Sequence, residues 1–453
     1  MAAGLALAIL PLPLASLLVL SSMVVLATLV RPELALYLLA VAVPFGALRE
    51  LTLGGMTVGA AEALVGLALM AWLAGMVARR RLAPSLPPLT LPLLLFLGAG
   101  LLSLPGALSL RYSLKEIVKW FEVLGLYVLA ANVLDRRRAR ILIWLILSSG
   151  VAAALHGWVQ FFTRSGPEGF VLFGRFMRAY GAFQQPNPYA GYLGLIAPLA
   201  LALVLADRQV GRLERWASGA SLGVITLAMG MSWSRGAWIG LAAAVATVFA
   251  ARSRRTAAIL AGLVAIGGLL ILLGSFQRLP PALAQRLTDF LPYVRPFDVR
   301  GVELTDANFA VVERMAHWQA GWQMWTEHPW RGVGIGNYEP VYPAYAIAPW
   351  DAPLGHAHNI YLNVAAEMGS IGLLAYLLLW GTAFWQTIRF VRHTDGWARG
   401  VGIGVLGVLA HLSVHNFFDN LFVHNIYAHL ALLLALLPVL AQPVPQRQGT
   451  VIH

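Results

Sequence analysis

Apolar and polar residues fall along this chain in long blocks, not in the short alternation of a soluble sheet or the 3.6-residue stripe of a surface helix. Apolar runs of roughly 18 residues or more recur from end to end, each long enough to span a bilayer as a helix. The pattern predicts spans at about 5–30, 33–48, 57–78, 90–107, 115–134, 140–163, 187–206, 217–233, 236–251, 256–275, 359–388, 398–418 and 421–440. That makes thirteen, with the N-terminus outside; twelve follow if the first two form one span plus a re-entrant or interfacial piece. The fold expectation is an all-α polytopic membrane protein.

Composition agrees. The chain is 59% hydrophobic and 11% charged, against about 25% charged in soluble domains. Cysteine is absent, which excludes disulfides, thiolate metal sites and thiol catalysis. The first apolar run has no basic leader and no small-residue cleavage site, so it reads as a retained span. The net charge of +12 does not point to nucleic acid, because the basic residues are clustered in short loops. These are Arg79/Arg80/Arg81, Arg136/Arg137/Arg138/Arg140, Arg208/Arg212/Arg215, Arg252/Arg254/Arg255 and Arg389/Arg392. Short arginine-rich loops stay cytoplasmic, so these form a solvated inner rim.

The chain divides into N-terminal spans (1–275), one large external loop (276–357), C-terminal spans (358–441) and a polar tail (442–453). The large loop holds six arginines and eight carboxylates, lacking the basic excess of the inner loops. It is too long for a simple connector. A smaller external segment, 164–186, contains Arg164, Glu168, Arg175 and Arg178 and leads into Asn187-Pro188-Tyr189.

Candidate chemistry gathers on the loop side. Residues 216–251 are 36 almost uncharged positions. One span takes ~20, so they hold two spans with a turn near 233–234, and Arg235 sits at that turn. It reads either as an anchor snorkelling to lipid headgroups or as a phosphate ligand. In the large loop, Val311, Met315, Trp318, Trp322 and Trp325 predict an amphipathic helix lying at the membrane surface and stopped by Pro329. Arg314 on it pairs with Glu313 or another carboxylate, or points across the cleft at substrate. The following Gly332-Val333-Gly334-Ile335-Gly336 lacks the flanking strand and helix of a dinucleotide loop.

His358 reads as a helix-capping or core histidine, or as a general base, its ordinary pKa of ~6.5 suiting that task. His356 two positions earlier is a weak metal signal, and no metal or cofactor is expected. Gly369 and Gly372 allow close approach of a neighbouring helix. Lys115, Glu116, Lys119 and Glu122 can pair along one helix. His411, His415, Asn416, Asp419, Asn420 and His424 are further polar groups at a span's external end.

Together these motifs resemble the O-antigen ligase and O-antigen polymerase superfamily of bacterial membrane glycosyltransferases. The likeness rests on His358-Asn359, then nine residues, then Gly369 with Gly372; on Ser234-Arg235-Gly236-Ala237-Trp238; on Arg314 followed by Trp318, Met324, Pro329 and the glycine series; and on the runs 187–192 and 415–419. It covers roughly 110–435. The resemblance implies a GT-C-like helix bundle in the inner membrane with its site facing the periplasm. It implies an undecaprenyl diphosphate-linked glycan donor and a lipid-A-core or other glycan acceptor. Catalytic roles carry over to His358, Arg235 and Arg314, and substrate contacts are expected from Arg235, Arg314, Asn359, Asn187, Tyr189, Lys119 and Asp419. The reaction is expected to be metal-independent and inverting, performed by a monomer among membrane lipids, without nucleic acid. A polymerase extending lipid-linked repeats, and a bicarbonate or other anion transporter, are the competing readings.

Overall fold

The computed structural model describes residues 11–48, 50–53, 56–80, 82–206, 210–273, 279–288, 293, 297–305 and 308–442. Arg81, Arg208, the start of the first predicted span and the tail beyond 442 lie outside the described residues.

Each of the thirteen apolar segments holds one long helix among the described residues. They are α1 Leu12–Val30, α2 Glu33–Ala42, α3 Ala60–Ala78, α4 Thr90–Ser103, α5 Leu110–Val133, α6 Arg136–Thr163, α7 Pro186–Val204, α8 Arg212–Met231, α9 Arg235–Arg252, α10 Arg254–Leu272, α14 Ile360–His393, α15 Gly396–His415 and α16 Ile426–Ala441. Between α10 and α14 the large loop carries α11 Pro281–Thr288, α12 Phe309–Glu327 and the single turn α13 Tyr338–Val341. The strands form two short antiparallel hairpins, Glu50–Leu53 with Met56–Gly59 and Val171–Leu172 with Phe176–Met177. The chain is thus an all-α polytopic membrane protein, and six of its helices are long and apolar enough to cross a membrane by length and composition.

Helices α7, α15 and α16 form the centre. α7 is almost wholly buried and packs on α8, α9 and α15. Small residues bring backbones together: a Cβ at Gly404 would meet Leu199 at 2.8 Å, and one at Gly407 would meet Pro198 and Val248 at 2.8 Å. The outer helices expose Leu17, Met23, Leu73, Leu102 and Leu374. In water that apolar surface would drive association; against lipid it is the expected exterior.

The arginine clusters cap one end of the bundle. Arg79 ends α3, Arg136–Arg138 begin α6, Arg212 and Arg215 lie at the start of α8, and Arg389 and Arg392 lie in the last turns of α14. The loops at 164–185, 232–234 and 416–425, together with the large loop, gather at the other end.

Two expectations about the large loop change. The buried face of α12 is Val312, Ala316, Ala320 and Met324, packed towards α14. The tryptophan stripe lies on its flank, with Trp322 57% exposed. Gly369 does not meet a neighbouring helix. It breaks α14 with φ 64° and ψ −166°, and the Trp330–Arg331 backbone fills the break, 2.2–2.5 Å from where a Cβ would stand. The glycine loop then runs along this notch: Val333 N donates to Ala366 O (2.9 Å), Gly334 N to Glu367 O (2.8 Å), and Ser370 N to Pro329 O (2.7 Å). Gly372 faces its own helix's Met368.

Candidate active site

Helix α8 ends at Met231 and α9 begins at Arg235, so the break falls at the predicted turn. Two guanidinium groups from other segments clamp it. Arg178 Nε donates to Ser232 O (2.9 Å), and Arg286 Nη2 on α11 donates to Trp233 O (3.0 Å). Arg178 also donates to Asn187 Oδ1 at 3.2 Å. Burial, then the charges of Arg286, Arg314 and Arg235, push the Arg178 guanidinium down to about 9. The physical content is crowding: four cations from four segments lie within electrostatic reach of one another. A guanidinium does not give up its proton readily, so the cluster stays cationic, with Asp419 within reach as a counter-charge.

The histidine side is built from the segment before α14. Ala357 N donates to Asn363 Oδ1 (3.0 Å), Asn359 Oδ1 caps α14 by accepting from Leu362 N (3.1 Å), and Ile360 N donates to Asn416 O (2.9 Å). Between these ties His358 is held at φ +52°, in the left-handed region, at a cost of order 1–3 kcal/mol for a non-glycine residue. Trp318 Nε1 donates to His358 O at 3.3 Å. The helix cap and the loop anchors therefore fix the imidazole's backbone from both sides.

Three ionisable side chains meet there. His358 Nδ1 lies 3.5 Å, and His356 Nε2 3.8 Å, from the same Asp419 Oδ1. Asp419 is 4% exposed. Burial alone would raise its carboxyl; His358, His356 and Arg314 outweigh burial and hold it far below the usual carboxylate range. Burial, with His358 beside it, pushes His356 down to about 3, and the same causes push His317 on α12 down to about 3. Burial raises Glu313 against the pull of His358 and Arg314. Arg314 Nε donates to Phe418 O (3.1 Å), the residue before Asp419, and Nη1 to Ala310 O (2.9 Å). His358 Nε2 is buried without a hydrogen-bond partner among the described residues, and Nδ1 has only its long approach to Asp419. Such groups are rare and call for an explanation.

His356, His358 and Asp419 offer ligand atoms within 4.8 Å of one another, so the isolated histidine pair of the sequence gains a third donor from far along the chain. A metal does not fit the donor set well. His356 Nδ1 accepts the His358 amide at 3.1 Å, so its proton belongs on Nε2, the atom a metal would need. Ligating histidines instead donate from their second nitrogen.

The other expected contacts divide. Asn187 and Lys119 lie at the edge: Asn187 through Arg178, and Lys119 through its ion pair with Glu116 (2.5 Å) and its bond to Phe422 O (3.2 Å). Asn359 spends its oxygen on the helix cap. Tyr189 is fully buried, its hydroxyl directed at Ala153 O and Ala154 O (3.3 and 3.4 Å) and its ring packed over Gly181. These two shape the scaffold instead of facing a substrate. Arg178 and Arg286 were not singled out from sequence. For Arg178 a signal existed, nine positions before the Asn-Pro-Tyr run to which it bonds.

The fold and this site define a polytopic membrane protein with a cluster of arginines and histidines at one end of its helix bundle. Residues 220–377 match a family model described as O-antigen ligase. The matched segment contains Arg235, Arg286, Arg314, the glycine loop and His358, and ends before Asp419. An O-antigen ligase of Pseudomonas aeruginosa is 27% identical over 208 residues, which is 46% of this chain. That alignment covers 43% of the relative, so less than half of its length is matched.

Proposed function

We propose that the protein is an O-antigen ligase-type glycosyltransferase: it transfers a glycan from undecaprenyl diphosphate to a hydroxyl of an acceptor glycan in surface polysaccharide assembly. The reading rests on one observation above others, the gathering of Arg178, Arg235, Arg286 and Arg314 beside the His358–Asp419 pair. The family match supports glycosyl transfer to build lipopolysaccharide.

The chemistry follows from the groups present. The acceptor oxygen forms a bond to the anomeric carbon while the bond to the diphosphate oxygen breaks, and the electron pair leaves with the diphosphate. Guanidinium groups bind phosphate oxygens through paired N–H donors. Preorganised positive charge in a water-poor site is a large catalytic contribution. The arginines therefore do what a divalent cation does in other glycosyl transfers. His358 takes the hydroxyl proton. Attack opposite the leaving group inverts the anomeric centre.

A cavity of about 420 Å³ lies between α8, α9 and α10, lined by Met229, Gly230, Trp238, Ala242, Ala246 and Val264. Trp238 stands one helical turn from Arg235. An apolar groove that opens directly beneath a cationic turn suits an anionic head with a polyprenyl tail. The arginine clusters at the opposite end of the bundle support an inner-membrane orientation with the site facing the periplasm.

The test is transfer from a purified polyprenyl diphosphate-linked glycan in nanodiscs containing EDTA. Wild type should transfer, and His358→Ala, Arg235→Ala and Arg314→Ala should be folded but inactive. A modified acceptor marks a ligase and an elongated donor a polymerase. No transfer by wild type, with anion flux in liposomes, would replace this reading with a transporter.

A further inference from the structure

We propose that Asp419 is a positioning residue that sets the tautomer of His358, holding the proton on Nδ1 so that Nε2 is the atom that accepts the hydroxyl proton. The inference rests on the function proposed above and assigns the polarity of its base. Asp419 thereby leaves the set of substrate ligands.

The geometry carries the argument. His358 Nδ1 is the ring atom nearest Asp419, at 3.5 Å from Oδ1. The same Oδ1 accepts the Asn420 amide at 2.8 Å, which fixes the carboxylate's rotation. Its loop is locked as well: Asn416 Oδ1 accepts from Leu421 N (2.9 Å) and Asn420 Oδ1 from Phe422 N (3.1 Å). An ionised carboxylate only accepts hydrogen bonds, so a neutral His358 facing it places its proton on Nδ1. Nε2 then carries the lone pair.

The neighbouring groups agree with this arrangement. His356 accepts the His358 amide on Nδ1, so its own proton is on Nε2 and also faces Asp419 Oδ1, at 3.8 Å. Two N–H groups thus converge on one carboxylate oxygen. From α13, Tyr338 donates its single hydroxyl proton to His317 O on α12 at 3.0 Å. His317 Nδ1, 3.1 Å from that hydroxyl, must then be the donor. The His317 ring stands edge-on to His358 at 5.4 Å between centroids. The charged and titratable groups facing the pair are therefore Glu313, Arg314 and His317 from α12, His356 beside it, His415 from α15 and Lys119 from α5. Among the described residues, the anion in contact with Nδ1 is Asp419, not one of these. When Nε2 takes the proton, the imidazolium forms next to a carboxylate already in place.

The test is the pH dependence of kcat and KM for glycan transfer by the full chain in nanodiscs. It compares wild type, Asp419→Asn, Asp419→Glu and His356→Gln, with thermal stabilisation by farnesyl diphosphate as a check of fold and donor binding. Asp419→Asn should lower kcat by about 10²–10⁴-fold, the range of a general base's contribution, with KM changed less than about threefold. Asp419→Glu should recover part of kcat, and His356→Gln should cost less than Asp419→Asn. A raised KM with kcat little changed would show that Asp419 binds substrate and would overturn the proposal. So would an Asp419→Asn variant as active as wild type, or one unable to bind farnesyl diphosphate while Asp419→Glu binds it but stays inactive. If His358→Ala matches wild type, or wild type transfers nothing, the proposed function itself fails, which the Asp419 variants alone would not show.

Discussion

Gly369 and Trp330 meet backbone to backbone: a Cβ on Gly369 would stand 2.2 Å from the Trp330 carbonyl carbon. That contact plugs the break in α14 with the glycine loop and sets where the segment carrying His358 enters the bundle. The φ of 64° and ψ of −166° at Gly369 belong to a region essentially closed to other residues. Gly369→Ala combines that strain with a collision against main chain that cannot rotate away. It should cost about 2–4 kcal/mol, as large mutational effects of this kind do, and abolish transfer. Gly381 lies on the same helix with nothing within 4 Å of its Cβ position. Gly381→Ala should be neutral or slightly stabilising, since alanine is favoured by up to about 1 kcal/mol in a helix interior. Thermal unfolding of the two variants in detergent checks the contrast.

Tyr189 illustrates what sequence could and could not show. Its motif suggested a substrate contact, yet its ring fills the space over Gly181 and its hydroxyl reaches only main-chain carbonyls. Tyr189→Phe should therefore leave kcat and KM within about twofold while costing about 1 kcal/mol of stability. Tyr189→Ala removes the packing too and should cost about 3–5 kcal/mol. A Tyr189→Phe variant with a raised KM would return the residue to the substrate site.

The spans were legible because hydropathy decides them: a 36-residue run whose one charge is Arg235 must fold back on itself, and the break between Met231 and Arg235 falls where that argument puts it. Helix faces were not legible. Lipid is as apolar as a protein core, so an apolar residue does not reveal which way it faces, and the tryptophans of α12 marked its flank while Ala316 and Ala320 are buried. The site was legible only in parts. His358 and Asp419 are separated by 61 positions (419 − 358), and no local spacing joins them. Arg178 and Arg286 sat among ordinary loop arginines, and only the fold brings them to the Ser232–Trp233 turn.

The histidine cluster should make folding sensitive to mild acid. Burial holds both His317 and His356 at about 3, below their ordinary value of 6.5. Between those limits the unfolded chain binds a proton at each site and the folded chain does not, so stability falls as pH drops from 6.5 towards 3. Each histidine should contribute a slope of about 1.4 kcal/mol per pH unit. Asp419 has the opposite logic: its carboxyl is depressed in the fold, so its contribution is present above the unfolded value near 3.8 and is lost only at lower pH. Melting temperatures from pH 7.5 to 4.5 should therefore fall in wild type and fall less steeply in His356→Gln. Parallel curves would mean that His356 binds its proton equally in the folded and unfolded chain.

The arginine cluster predicts that an anionic ligand stabilises the fold. Arg178 is held within electrostatic reach of Arg235, Arg286, Arg314 and Asp419. A diphosphate brings more than one charge and oxygens for several guanidinium groups at once. Ligand binding to the folded state alone stabilises by about 2.7 kcal/mol at a hundredfold excess over Kd. Farnesyl diphosphate should accordingly raise the melting temperature by several degrees, farnesyl monophosphate by less, and farnesol by little. Arg235→Gln should weaken the response to the diphosphate about tenfold or more in concentration, because it removes a charge-assisted contact worth about 1.5–3 kcal/mol. Arg389, in the last turns of α14 at the opposite end of the bundle, serves as the control: Arg389→Gln should respond as wild type does. Equal stabilisation by diphosphate and alcohol would mean that the tail alone is recognised and that the arginines hold something else.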